Sequence, residues 1–239
     1  MIQQSKGKIF LADEREINQT ESTRSFNTFN SGRYFNPHKQ AFGNMYVLND
    51  DTLVGGASVK MPVEESSHII LLPVAGAINY KDSFVNDALI VAGQAQLLSA
   101  GKESAMEISN PFKEEFVNFL QIHIKADNTP WQSALYLSTY DDVNKNRNSL
   151  VELFPGISET SSLPFAVSIG KFYGRGETTY HLKKKDSGLF LFVLEGAFEA
   201  EGRLLHARDG LALWGIDEVE LEALSNDAII LLIEQELTI

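Results

Sequence analysis

Apolar and polar positions along this chain trade places in short runs, never in long ones. Segments 43–50 (GNMYVLND), 67–80 (SHIILLPVAGAINY), 87–101 (DALIVAGQAQLLSAG) and 116–126 (FVNFLQIHIKA) are apolar or alternate with period two. Each is about one strand long, and Gly, Asn, Asp and Pro clusters separate them, which predicts β-strands joined by tight turns. After Lys125 the texture becomes polar and rich in turn formers, reading as a linker with one strand and two weak helical candidates, TPWQSAL (129–135) and DDVNKNRNSLVEL (141–153). Strand signals then resume in 165–176, 178–205, 209–215, 218–224 and 228–239. The halves echo each other: HIILLPVAGAINYKD (68–82) and GLFLFVLEGAFEAEG (188–202) share an apolar strand, a glycine turn and a return strand. A repeat at this long spacing predicts a duplicated β unit of the sandwich or barrel type, since solenoid periods are shorter.

Composition narrows the function classes. The 239 residues carry 20 Lys and Arg against 32 Asp and Glu, a net charge of −12. A nucleic-acid reader needs a basic face, and the one basic run, Lys183 to Lys185, reads as a solvated turn or strand edge. The acidic surface permits a basic protein partner without naming one. There is no cysteine, which removes disulfides, thiolate ligands and a cysteine nucleophile. The N-terminus lacks the apolar stretch of a signal peptide, and no apolar run nears the roughly 18 residues of a membrane span, so a cytoplasmic location is expected. No nucleophile elbow, P-loop or dinucleotide fingerprint appears.

Four stretches carry a family resemblance: RSFNTFNSGRYFNP (24–37), VLNDDTLVGGASV (47–59), LLSAGKESAMEISNP (97–111) and DGLALWGIDEVELEALSNDAIILLIEQ (209–235). Together they resemble the pirin family of bicupins, which includes bacterial pirin-like proteins with quercetin dioxygenase activity. The resemblance implies an all-β fold of two double-stranded β-helix barrels (RmlC-like jelly rolls). It places an N-terminal cupin at 1–126, a connecting segment at 127–162 and a C-terminal cupin at 163–239. It also implies a metal held by three histidines and a glutamate, two of the histidines in an H-P-H triplet. Aligned without a gap from Asn49 to Ser83, the two triplet histidine positions hold Pro62 and Glu64. In the second motif the histidine position holds Met106 and the glutamate position Ile108. Of these four only Glu64 offers a donor for a hard or borderline metal; thioether sulfur suits soft metals, and Pro and Ile offer nothing. The iron, nickel or manganese type of cofactor is therefore not expected.

A rebuilt site would draw on Glu64 and His68, whose even spacing puts them on one face of a regular strand, with Met106 as a third donor. His123 shares parity with Phe119 and Gln121, so Glu64, His68, Met106, Gln121 and His123 form a candidate pocket, with Tyr80 as a positioning group. His181 sits in the second cupin, and His38 and His206 lie in turn-like surroundings. Three functional expectations follow. The leading one is a metal-free bicupin that binds a small hydrophobic ligand or a protein partner and has no dioxygenase activity. The second is a quercetinase-like dioxygenase with a rebuilt site. The third is a metal-independent isomerase or lyase using a histidine–carboxylate pair.

Overall fold

A computed structural model describes residues 5–32, 35–82, 87–126, 136–154 and 163–237. Its strands are β1 (Lys6–Phe10), β2 (Glu16–Gln19), β3 (Thr23–Asn27), β4 (Met45–Leu53), β5 (Ser58–Pro62), β6 (Ser67–Ala75) and β7 (Ala77–Asp82). There follow β8 (Asp87–Val91), β9 (Gln94–Ala100), β10 (Ala105–Ser109), β11 (Val117–Lys125), β12 (Tyr136–Thr139), β13 (Ser149–Phe154) and β14 (Phe165–Phe172). The chain closes with β15 (Glu177–His181), β16 (Ser187–Glu195), β17 (Ala197–Ala200), β18 (Arg203–His206), β19 (Gly210–Trp214), β20 (Glu218–Ala223) and β21 (Ala228–Glu236). Among the described residues, helix is confined to two 3-10 turns, and no helix is long and apolar enough to cross a membrane.

The chain forms two compact units, Arg15–Thr139 and Met1–Glu14 with Tyr140–Ile239. The first pairs a seven-stranded sheet, β12-β9-β6-β11-β4-β3-β2, with a four-stranded sheet, β5-β10-β7-β8. The second pairs a six-stranded sheet, β1-β19-β16-β21-β14-β13, with a four-stranded sheet, β15-β20-β17-β18. The strand rhythm and the duplication are thus both realised, as an all-β bicupin. The repeated hairpins β6–β7 and β16–β17 turn at Gly76 (φ +80°) and Gly196 (φ +77°), a backbone region open to glycine at no steric cost.

The strands divide the chain differently from the expected boundaries at 126 and 163. β1 pairs along its whole length with β19, so the first strand belongs to the C-terminal unit. The expected connecting segment contributes an edge strand to each unit, β12 beside β9 and β13 beside β14. The helical reading of 141–153 fails for the same reason. Only Asp141–Asn144 is helical, Asn148 takes φ +60°, and Ser149–Phe154 is captured by the edge of β14. The other helical candidate, 129–135, lies outside the described residues.

Each unit closes on an apolar interior. In the N-terminal unit Leu53, Ile69, Leu71, Leu98, Val117 and Phe119 of the large sheet meet Ile78, Tyr80, Ile90, Met106 and Ile108 of the small one. In the C-terminal unit Leu189, Leu191, Val193, Ile230 and Leu232 meet Phe198, Val219 and Leu221, with Phe172 edge-on to Phe198 at 5.4 Å. Full burial of one such side chain is worth about 1.5–3 kcal/mol, so these interiors, with their ladders, dominate the stability of each unit.

Candidate functional site

The strands that would carry the family's metal are β5 and β10, paired antiparallel with Met106 opposite Met61 and Ile108 opposite Val59. Burial along β5 alternates, with Ser58, Lys60 and Pro62 exposed and Val59 and Met61 half-buried. Val63 continues the inward series at 1% exposure, and its N–H and C=O bond Ser104 O and Glu103 N, both at 2.9 Å. Side chains alternate between the faces of a strand. The inward pair two residues apart is therefore Met61 and Val63, on either side of Pro62. Pro62 and Glu64, expected from the gap-free alignment, are exposed. The shared proline was the available signal: M-P-V lies on H-P-H once one extra residue is allowed in the turn before β6.

On β10 the two positions read from the second motif face inward. Met106 is 2% and Ile108 0% exposed, and both belong to the interior cluster. Met61, Val63, Met106 and Ile108 thus converge inside the barrel as hydrocarbon and thioether. The space left among Val63, Tyr80, Ser99, Ser104 and Met106 is about 10 Å³. That is at the lower limit for one water and far below the roughly 300–1,000 Å³ of a ligand pocket. Tyr80 brings the one hydroxyl of this cluster of buried residues, donated to Asp82 Oδ2 at 3.0 Å. Desolvation first, then that hydrogen bond and the charge of Asp82, hold the phenol above its usual range.

The rebuilt pair is not assembled. Glu64 lies in the turn between β5 and β6, so it shares no strand with His68. His68 is out of step with inward Ile69 and Leu71, and its Nδ1 meets Ser99 Oγ at 3.0 Å. Burial lowers its pKa. No group of three or more His, Asp or Glu among the described residues is placed to hold a metal ion. His181 pairs with Glu218 at 3.1 Å on the exposed side of β15, and His38 and His206 are exposed.

Gln121 and His123 do face inward, opposite Leu71 and Ile69 of β6. A bulge in the β4–β11 pairing leaves Tyr46 as an extra residue, and its ring stands edge-on to the His123 imidazole at 5.7 Å. Burial pushes the pKa of His123 down to about 4, so the ring is neutral at pH 7. Gln121 Nε2 donates to His123 Nε2 at 2.6 Å, leaving the ring proton on Nδ1. Nδ1–H then reaches Tyr46 Oη at 3.4 Å, Tyr46 donates to Ser67 Oγ at 2.7 Å, and Ser67 donates to Glu65 O at 2.7 Å. Every link has one donor and one acceptor, the arrangement of a satisfied buried network rather than of a base waiting for substrate.

The second barrel buries a carboxylate at the corresponding place. Glu234 of β21 lies opposite Leu189 as His123 lies opposite Ile69. It is 0% exposed and accepts from Tyr180 Oη at 2.7 Å and from the backbone N–H groups of Lys183 and Lys184 at 3.0 and 3.1 Å. Desolvation and the neighbouring carboxylate raise the Tyr180 pKa. The lysine run expected to be a solvated turn is one, tied down from below by Glu234.

Residues 11–124 match the family model described as Pirin, and residues 165–235 match the quercetinase C-terminal cupin domain. The chain belongs to the pirin family. It is 22% identical over 210 residues to a quercetin 2,3-dioxygenase of Escherichia coli K12, covering 87% of this chain and 89% of that protein. It is 25% identical over 207 residues to a pirin-like protein of Caulobacter vibrioides, covering 85% and 88%. Among solved structures, E. coli YhhW superposes with a TM-score of 0.86 at 20% identity, covering 98% of this chain and 99% of that one. Bacterial pirin YhhW in complex with nickel(II) superposes with a TM-score of 0.83 at 19% identity, covering 98% and 100%. At these identities the superpositions establish the fold. A nickel-type site needs three or four convergent nitrogen or oxygen donors, and this barrel's side chains do not fit it.

Proposed function

We propose that this pirin-family bicupin works without the family's metal, as a binding protein whose contacts lie on its outer surface, and does not cleave flavonols. One observation carries the reading: Met61, Val63, Met106 and Ile108 take the inward positions along β5, the residue after it and β10, and the space beside Val63 and Met106 is about 10 Å³. Imidazoles and a carboxylate left in that space without a metal would be unsatisfied, at about 1–3 kcal/mol each. Apolar side chains remove that cost and fill the chamber. A small-molecule site there would need a space about thirtyfold larger or more, which favours a protein partner or a ligand on the outside.

Reuse of Glu64 and His68 finds no support, because one sits in a turn and the other faces away from the interior. The test is aerobic turnover of quercetin after incubation with iron, nickel, cobalt, copper or manganese. The expected result is no oxygen uptake above a protein-free control with any metal. Turnover that a chelator abolishes would overturn the reading.

A further inference from the structure

A groove on the outer face of the N-terminal unit has the makings of a ligand site. It encloses about 450 Å³ over β2, β3 and β4 and beside the turn that leads into β11. That volume lies within the range of small-molecule pockets. We propose that it binds a planar aromatic carboxylate, with the ring between Phe26 and Phe116 and the carboxylate on the Arg24 guanidinium. The proposal stands whether or not the barrel takes up metal.

Three features point there. Phe116 lines the groove with 64% of its surface exposed, an apolar face that folding leaves uncovered. Phe26 and Arg24 lie two residues apart on β3 and so share a face, which places a ring and a cation side by side. Arg24 Nε donates to Gln19 Oε1 at 2.9 Å across the β2–β3 pair, which orients the guanidinium plane. Its remaining nitrogens make no ion pair among the described residues.

The contrast with Arg15 is informative. That guanidinium stands over the Phe26 ring at 4.9 Å but is committed to Asp50 at 3.3 Å, both side chains buried. In a chain of net charge −12, an arginine without a carboxylate beside two phenyl rings fits an acid brought from outside. Val54 adds to the apolar wall, and Thr23 and Thr52 supply hydroxyls. Glu21 stands on the same rim and opposes an anion, so the site is a modest binder that discriminates by shape.

The experiment titrates 2-naphthoate into the full-length ¹⁵N-labelled protein, with 2-naphthamide as the neutral comparison. Saturable shifts at β2, β3 and residue 116 are expected, with the acid binding about tenfold more tightly than the amide. Arg24→Gln and Phe116→Ala should each weaken the acid by about tenfold, while Glu21→Gln tightens it. All three side chains are exposed, and thermal unfolding checks that the variants fold; Arg24→Lys serves if Arg24→Gln does not. The proposal is overturned if naphthoate fails to saturate in the millimolar range, if acid and amide bind alike, or if neither Arg24→Gln nor Phe116→Ala changes the affinity.

Discussion

Two buried titratable groups on the inner face of the seven-stranded sheet should give the N-terminal unit a pH dependence that single substitutions expose. Asp51 lies opposite Phe119 and Ser25, and burial raises its pKa to about 7, with the nearby Asp50 adding to the rise and a Ser25 hydrogen bond opposing it. Because the folded pKa is raised from 3.8 to about 7, the folded state holds the extra proton, and stability falls as pH rises through that window. At 1.36 kcal/mol per pH unit the full span is about 4 kcal/mol.

His123 acts in the opposite sense. Its pKa falls from 6.5 to about 4, so the unfolded state takes the proton first and stability is lost as pH drops from 6.5 towards 4, by about 3 kcal/mol. Between about pH 4 and 6.5 the two slopes oppose, and the native protein should show a nearly flat profile. Asp51→Asn mimics the protonated carboxyl and should unmask the histidine, giving a unit that gains stability as pH rises. His123→Gln should unmask the aspartate and give the reverse slope. Hydrogen exchange of the β4 and β11 amides between about pH 4.5 and 7.5, corrected for the intrinsic exchange rate, reads this unit separately from the other. Parallel profiles for the native protein and Asp51→Asn would refute the reasoning.

Met106→His places an imidazole beside a space of about 10 Å³ lined by Val63, Tyr80 and Ser104, and should cost about 1–3 kcal/mol in urea denaturation near neutral pH, and more below it. An unchanged midpoint would mean that the imidazole finds a partner there. Glu234→Ala removes the acceptor of Tyr180 and of the Lys183 and Lys184 N–H groups, and should destabilise the C-terminal unit by about 3 kcal/mol or more. Tyr180→Phe, which removes one of those bonds, should cost about half as much in the same assay. Arg15→Ala removes the guanidinium partner of Asp50 at 3.3 Å, a pair in which both side chains are buried, and should cost about 3–5 kcal/mol.

The fold was legible because period-two alternation and glycine turns report the local backbone directly, and because the repeated hairpins match at Gly76 and Gly196. Which side chains face inward was legible on β10 and not on β5. A strand position slipped by one residue moves a side chain from one face to the other. The gap-free alignment therefore read Pro62 and Glu64 where Met61 and Val63 point inward, while Met106 and Ile108, read from the SAG and NP that flank them, do point inward. His68 looked like a partner for Glu64 only while the turn at 63–66 was taken as continuous strand. What the sequence did not carry was long-range pairing. Nothing local in KGKIF says that β1 will join β19, and nothing local in SLVELF says that it will extend β14 rather than continue a helix.

The central claim is that hydrocarbon has replaced the metal ligands, and metal stoichiometry tests it most directly. The protein, purified without chelator, would be incubated with nickel, iron, cobalt, copper or manganese, desalted and measured by plasma mass spectrometry. The account predicts a small fraction of an equivalent for every metal, unchanged in Met61→Ala and Met106→Ala. Close to one equivalent of any of them, lost when Met61 or Met106 is replaced, would contradict it.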